Sequence, residues 1–127
     1  MRDDVKIIVS NDVIKRMTRL PNAVQSKALE FMLKFQTDPR SPGINYERIN
    51  AARDKNLRSV RIDKAHRGII FQAPQNNVFI WLHVDKHDDA YDWAVRHKMS
   101  INPVNGALTL TNLTFVEETV ERAVVPA

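Results

Sequence analysis

Six basic side chains lie close together between Arg53 and Arg67, where they could hold a polyanion. We call them the basic strip, and they are Arg53, Lys55, Arg58, Arg61, Lys64 and Arg67. Only two acids lie among them, so this segment nets +4, which is also the net charge of the whole chain. Such a local charge favours binding to a polyanion, most simply the backbone of a nucleic acid, DNA or RNA. The alternative is a solvated strand whose long basic stems cover apolar neighbours.

A second group of side chains that could do chemistry follows between residues 83 and 93. In an extended strand, His83, Asp85 and His87 would share one face with a spacing that suits a divalent metal. A helix explains the same residues without a metal, because acids favour its start and bases favour its end. The acids are Asp85, Asp88 and Asp89, and the bases are Arg96, His97 and Lys98. We adopt the helix and expect neither a metal nor another cofactor.

Trp93 would lie on an apolar stripe of that helix, together with Ala90, Ala94 and His97. A tryptophan on such a stripe is more often a core anchor than a platform on which a base stacks. We therefore predict that Trp93 packs in the core.

The composition describes one intracellular domain. A chain of 127 residues with 43% apolar residues can bury one core, and no cysteine is present for a disulfide or a thiolate zinc site. The first residues are too acidic for a signal peptide, and no apolar run is long enough to span a bilayer. We expect a cytoplasmic protein that has no contact with a membrane.

Two helices are predicted after a short strand at Ile7–Val9. Ser10, Asn11 and Asp12 offer an N-cap for the first helix, whose apolar positions run from Val13 to Leu20. The second helix enters at Pro21 or Asn22, stops at Asp38-Pro39, and carries the apolar stripe Val24, Ala28, Phe31, Met32 and Phe35. Together they form a helical hairpin whose stripe covers a sheet.

Three β-rich runs follow a loop at residues 40–45 and a short strand at Tyr46–Ile49. They are Leu57–Ile62, Arg67–Ala73 and Val78–Val84, and their four-residue links allow only hairpins. The sequence therefore predicts an α+β fold, with the hairpin on a small antiparallel sheet and a C-terminal helix after the last strand of this meander. The third run has almost no polar face and suits a strand buried on both sides.

Alternation along the first of these strands places Ser59, Arg61 and Asp63 on the face opposite to Val60 and Ile62. Arg67 begins the next strand, where a guanidinium can leave the sheet edge. An arginine in that place either clamps a carboxylate or binds a phosphate.

The order of elements resembles the RelE/ParE toxin superfamily over about residues 5 to 98. The residues that carry the resemblance are Leu57–Ile62, His66–Phe71, the buried third run, and a closing His-x-x-x-Tyr at His87 and Tyr91. More narrowly, Val84–Ala94 and Asn102–Leu108 look like the RelE-like domain at the N-terminus of some bacterial superfamily I (UvrD-type) helicases. The expected divisions are a RelE-like domain at residues 1–98 and an extension at 99–127. In the extension, a strand at 107–111 and a helix at 115–124 could link to a further domain.

The resemblance implies roles for four residues. By comparison with family members that cleave messenger RNA on the ribosome without metal, Arg61 and Arg67 would meet the phosphate. Tyr91 would stack on a base or assist proton transfer, and His87 would be a second group that assists proton transfer. Asp88 and Asp89 stand where toxins more often carry basic residues, which favours an accessory nucleic-acid-binding domain of a helicase-related protein without nuclease activity. The chain itself has no phosphate loop of a helicase motor.

The same resemblance leaves two alternatives. One is an endoribonuclease toxin held by an antitoxin, and the other is an inhibitor that binds a protein, as ParE toxins do. The implied partners are single-stranded nucleic acid, an antitoxin or a helicase motor domain.

Overall fold

The computed structural model describes residues 5–74, 77–101, 104 and 108–113. The elements in chain order are β1 (Lys6–Val9), α1 (Asn11–Met17), α2 (Asn22–Thr37), β2 (Glu47–Arg48), β3 (Leu57–Arg61), β4 (His66–Gln72), β5 (Val78–Lys86), α3 (His87–Arg96), β6 (His97–Ile101) and β7 (Leu108–Asn112). The predicted α+β fold is confirmed, including the helical hairpin and the helix after the meander. The helix expected at 115–124 lies outside the described residues.

Five strands form the main sheet in the order β1-β5-β4-β3-β2. The predicted meander is β3-β4-β5, which is antiparallel throughout, and β1 adds a parallel pair beside β5. Strand β5 therefore lies inside the sheet, and its residues from Phe79 to Val84 are buried, as the apolar run predicted. Strands β6 and β7 form a separate antiparallel hairpin, and the expected domain boundary after residue 98 falls within β6.

Each face of the main sheet covers a core. The face toward α1 and α2, here the hairpin face, buries Val60, Ile62, Ile70, Trp81 and Val84 against Val13, Val24, Ala28, Phe31 and Phe35. The face toward α3, here the α3 face, buries Leu57, Ile69, Phe71, Ile80 and Leu82 against Ala90, Ala94 and Met99. The predicted α2 stripe thus covers the sheet, with Met32 at its margin.

Helix α1 is shorter than predicted. Ser10 caps it by accepting a hydrogen bond from the Val13 N–H at 3.2 Å, as expected, but the helix ends at Met17 and not at Leu20. The side-chain amide of Gln25 donates to the carbonyl oxygens of Met17 and Leu20 at 2.8 and 2.9 Å. These bonds satisfy carbonyls at the helix end, so the chain turns into α2 early.

The ends of α3 also differ from the prediction. Its N-cap is Lys86, so the expected capping by Asp85 is wrong, although Asp88 and Asp89 do lie in the first turn. Asp85 instead remains in β5. At the other end His97 is extended and starts β6, while its ring Nδ1 lies 2.7 Å from the Trp93 carbonyl oxygen and caps the last turn.

A β-bulge in β5 sets which side chains face α3. Ile69 is opposite His83 but Ile70 is opposite Trp81, so Leu82 is an extra residue in β5. The indole N–H of Trp81 donates to the His83 carbonyl oxygen at 2.8 Å across the bulge. Because of the extra residue, Leu82 and His83 both face α3, and Asp85 follows them onto that face.

Gly68 makes room for the Trp81 indole. A Cβ at position 68 would lie 2.9 Å from the indole Nε1 and 2.9 Å from Cγ2 of Val60, both parts of buried side chains. Neither neighbour can move without disturbing the core. The missing side chain at position 68 therefore allows the bond that holds the bulge.

We expect Gly68→Ala to lower the free energy of unfolding by about 1–3 kcal/mol, because it overpacks this core. Urea denaturation measures the change. Trp81→Phe removes the part of the ring that the new methyl group would meet, so the double variant should lose less stability than the sum of the two single losses. Additive losses would show that the indole does not limit position 68.

Candidate nucleic-acid interface

Arg61 and Arg67 are directly opposite each other in the β3–β4 pair, and Asp85 is opposite Arg67 in the β4–β5 pair. Residues opposite each other in neighbouring strands share a face at about 4.5–5.5 Å between their Cβ atoms. This face is the α3 face, because Leu57 and Ile69 have the same parity as Arg61 and Arg67 and pack against α3. The three charged residues therefore form one row at the end of the sheet.

The two arginines differ in how they are held. The guanidinium of Arg67 donates from Nη1 to the carbonyl oxygens of Asp63 and His66, at 2.8 and 3.0 Å, which fixes it to the turn between β3 and β4. The side chain of Arg61 is exposed and has no hydrogen-bond or ion-pair partner among the described residues. One cation is thus prepositioned and the other is free to close on a ligand.

Tyr91 and His87 extend the row from α3. The Tyr91 hydroxyl lies 3.2 Å from the hydroxyl of Ser59, which has the same parity as Arg61 in β3. The His87 ring stands edge-on to the Tyr91 ring, with centroids 4.6 Å apart. The backbone N–H of His87 donates to the carbonyl oxygen of Ala65 at 2.9 Å, and this bond connects the start of α3 to the turn that carries Lys64. We name Arg61, Arg67, His87 and Tyr91, with Ser59, the arginine–tyrosine cluster.

The residues of the basic strip do not all lie on one face of the sheet. Arg58 lies an odd number of residues from Arg61 and therefore points to the other face, where its guanidinium lies 5.9 Å from the centre of the Tyr46 ring. It also donates to the carbonyls of Lys55 and Leu57 at 2.7 and 3.0 Å. Lys55 donates to the carbonyls of Asn50 and Ala52. Lys55 and Arg58 thus bind the backbone before and within β3, and Arg53 precedes them at the far end of that strand from Arg61.

His83 contacts Asp85, but His87 does not join them as the metal alternative required. The strand ends at Lys86, so His87 belongs to α3 and its Nδ1 lies 2.9 Å from the exposed Asp88 carboxylate. His83 Nε2 lies 3.2 Å from Oδ2 of Asp85, which also accepts from Arg16 at 3.3 Å. No group of three metal-binding side chains occurs in the described part of the chain.

Two imidazole rings stack on Trp93. The centroid of the His83 ring lies 4.6 Å from that of Trp93 and the centroid of the His97 ring lies 4.0 Å from it, and both imidazoles are nearly parallel to the indole. The half-buried ring also packs at the margin of the α3-face core. The arrangement agrees with a packing role for Trp93.

Two groups near the row have shifted pKa values. Burial lowers the pKa of His83 to about 4, and the nearby Arg16 acts in the same direction, while Asp85 opposes them. In the β3–β4 turn, burial disfavours ionisation of Asp63, but hydrogen bonds from the His66 ring and from the N–H groups of Ala65 and His66 outweigh it and lower its pKa. At neutral pH, His83 is therefore neutral and Asp63 is ionised.

Sequence reasoning did not identify two members of this site. Ser59 was placed on the face of Arg61 by alternation, but nothing in the sequence gives it Tyr91 as a partner. Asp85 joins the row only because of the bulge at Leu82. Alternation without a bulge would have placed it on the other face, and the continuously apolar β5 carries no pattern that reveals the shift.

Comparison with known proteins supports the fold. No protein-family model matches the chain, and no curated protein matches its sequence. The chain is similar to an archaeal RelE–RelB complex from Pyrococcus horikoshii OT3, with 20% identity over 66% of this chain and 96% of that one, and a TM-score of 0.51. It is also similar to the toxin–antitoxin complex RelBE2 from Mycobacterium tuberculosis, with 12% identity over 67% of this chain and all 100% of that one, and a TM-score of 0.49.

The likeness to the archaeal protein confirms the RelE-like fold predicted from the sequence. The narrower resemblance to a helicase domain stays a prediction. In the described part of the chain, no helix combines the length and the apolar character that a membrane crossing requires.

We expect stability to fall as the pH is lowered from about 6.5 to 4. In this range the unfolded chain protonates His83, whose ordinary pKa is 6.5, while the folded chain does not, because its pKa is about 4. The contribution present above pH 6.5 and lost by pH 4 is about 2–3 kcal/mol. Urea denaturation between pH 4.5 and 7.5 measures it and avoids the titration of Asp63, whose lowered pKa lies below 3.8.

His83→Gln is the matched variant for this measurement. It lowers stability at every pH because it removes the stack on Trp93, but the fall between pH 7.5 and 4.5 should become shallower than in the unaltered protein. Equal slopes for both proteins would assign the pH dependence to other groups.

Proposed function

We propose that the arginine–tyrosine cluster binds the phosphate backbone of single-stranded RNA and cleaves it without a metal. The observation that carries the proposal is the placement of Arg61 directly opposite Arg67, on the face that also presents Tyr91. Like charges in directly opposite positions of two strands destabilise a sheet. A bound phosphate would compensate for this repulsion, since both guanidiniums would donate to its oxygens.

The neighbouring acid does not remove this charge. Asp85 is the third member of the row, but its Oδ2 already accepts from Arg16 and contacts His83. No ion pair of Asp85 with Arg67 occurs among the described residues. The positive charge of the arginine pair therefore remains available to an anion.

Cleavage in this arrangement would use the 2′-hydroxyl of the RNA. That hydroxyl loses its proton and attacks the adjacent phosphorus, the P–O5′ bond breaks, and the departing 5′-oxygen takes up a proton. Arg61 and Arg67 would stabilise the charge that gathers on the phosphate oxygens. Tyr91 and His87 are the groups beside them that can move protons. Asp88, in contact with His87 Nδ1, would orient the ring.

A protein partner belongs to this proposal. The similar archaeal structure is a RelE–RelB complex. A partner protein like RelB would cover the arginine–tyrosine cluster and so prevent cleavage. Leu29 and Leu33 on α2 are 60% and 68% exposed and offer such a partner an apolar surface.

A second candidate is an accessory domain that binds nucleic acid without cutting it. It is favoured by Asp88 and Asp89, two exposed acids in the first turn of α3 beside His87. A carboxylate near a bound phosphate costs about 3 kcal/mol at 5 Å and an effective dielectric constant of 20. In this function the row of arginines would hold the strand, and Tyr91 would remain bonded to Ser59.

RNA binding should weaken with salt in proportion to the phosphates that the cluster contacts. For single strands each contact contributes about 0.7 to the slope of log affinity against log salt. The variant Arg61→Ala, Arg67→Ala should therefore flatten the slope by about 1.4 in fluorescence anisotropy titrations with an oligonucleotide. Arg96→Ala removes an exposed arginine from the far end of α3 and should leave the slope unchanged. An unchanged slope for the double variant would remove the arginine pair from the interface.

Cleavage of ribosome-bound message separates the two candidate functions. We expect the products to carry a 2′,3′-cyclic phosphate and a 5′-hydroxyl, and the rate to fall about 10²- to 10³-fold in Arg67→Ala or Tyr91→Phe. A message with a 2′-deoxy nucleotide at the cleaved position is the substrate control and should stay intact. If the unaltered protein binds RNA but leaves programmed ribosomes uncut, the accessory function replaces the nuclease.

A further inference from the structure

A second positively charged pocket lies beside the arginine–tyrosine cluster, between α2 and the end of β3. Its cavity volume is about 230 Å³. The charged residues that line it are Lys27, Glu30 and Lys34 from α2, and Arg61, Asp63 and Lys64 from β3 and the turn after it. Arg61 thus belongs to both the cluster and the pocket.

Three of the four cations in this pocket are uncompensated within the described part of the chain. Lys27 contacts Glu30 at 3.5 Å, and Asp63 is occupied by His66 and by the backbone N–H groups of the turn. Lys34, Arg61 and Lys64 have no side-chain partner among the described residues. The acids in the lining therefore do not neutralise these three.

The pocket suits a compact anion better than an apolar segment. Its large apolar members Phe31, Ile44 and Ile62 are only 3%, 1% and 6% exposed, so they offer little surface to a ligand. The exposed Leu29 and Leu33 do not contribute, because at about 100° per residue they lie on the other side of α2 from Lys27 and Lys34. Gly43 borders the pocket with nothing within 4 Å of where a Cβ would be, which leaves the entrance open.

We propose that this pocket is a second phosphate subsite, which holds the phosphate next to the one at the arginine–tyrosine cluster on the same RNA strand. The inference rests on the proposed function, since it takes the occupant of the cluster to be RNA. Arg61 lies between the two phosphates, Lys34 and Lys64 bind the second one, and the strand passes from the α3 face over the end of β3 toward α2. The substrate is therefore a strand of at least three nucleotides, and not a single nucleotide or dinucleotide.

The test compares the binding of an RNA octamer and a dinucleotide, which has one internucleotide phosphate, to the full chain. For the octamer, Lys34→Gln should flatten the slope of log affinity against log salt by about 0.7, the value of one lost contact on a single strand. Affinity for the dinucleotide, which reaches only the cluster, should stay within twofold. Lys34→Arg keeps the charge and should bind the octamer as the unaltered chain does.

Lys6→Gln is the matched control, because it removes one exposed lysine from β1 at the opposite edge of the sheet. It should change neither slope. Thermal unfolding of each variant confirms that the fold is kept.

The outcomes separate the subsite from the proposed function. If Arg61→Ala, Arg67→Ala flattens the octamer slope but Lys34→Gln does not, the subsite is overturned and the cluster stands. If the unaltered chain binds no RNA at all, the proposed function fails first. If Lys34→Gln weakens binding of polyglutamate and leaves the octamer slope unchanged, the pocket is a docking site for an acidic protein segment, and the RNA subsite is again overturned.

Discussion

The site depends on one hydrogen bond at the β-bulge of β5, from the Trp81 indole to the His83 carbonyl. This bond holds the strand where Leu82 is inserted, and the insertion reverses the faces of all residues that follow. Val84 then enters the hairpin-face core, while Asp85 joins Arg61 and Arg67. Gly68 is part of the same constraint, because a side chain there would displace the indole. Core packing and the order of charges in the row of Arg61, Arg67 and Asp85 thus depend on the same few atoms.

The sequence predicted the elements well because their signals are local. The apolar stripe of α2 repeats with the period of a helix, and the meander strands are separated by links too short for crossovers. The structure contains both the helix and the antiparallel meander. The parallel pairing of β1 with β5 joins residues about seventy positions apart, for which no local pattern exists. The bulge could not be predicted either, since a strand that is apolar on both faces has no alternating pattern in which an extra residue would show.

The basic strip shows what a charge count can and cannot predict. It included Arg61 and Arg67, which the structure places opposite each other, but it treated six cations as equivalent when alternation already separates Arg58 from Arg61. Lys55 and Arg58 also find backbone carbonyls around the turn before β3, which are partners that a composition cannot reveal. Lys34 lies outside the strip in sequence, and only the packing of α2 beside β3 brings it near Arg61. The positive surface is therefore assembled partly from the strip and partly from a helix that the charge count did not consider.

Under the proposed function, the contacts of the Tyr91 hydroxyl would decide between cleavage and binding alone. This hydroxyl contacts Ser59 at 3.2 Å, and the position of Tyr91 within α3 leaves only side-chain rotation for approaching a phosphate at Arg61. Ser59 is buried and on the same face as Arg61, so the bond points the hydroxyl along the row and not away from it. A phosphate held by both guanidiniums would lie beside that hydroxyl and would give it a second hydrogen-bond partner besides Ser59. In a nuclease this contact would orient the Tyr91 hydroxyl toward the phosphate, whereas in a domain that only binds nucleic acid the hydroxyl would stay with Ser59.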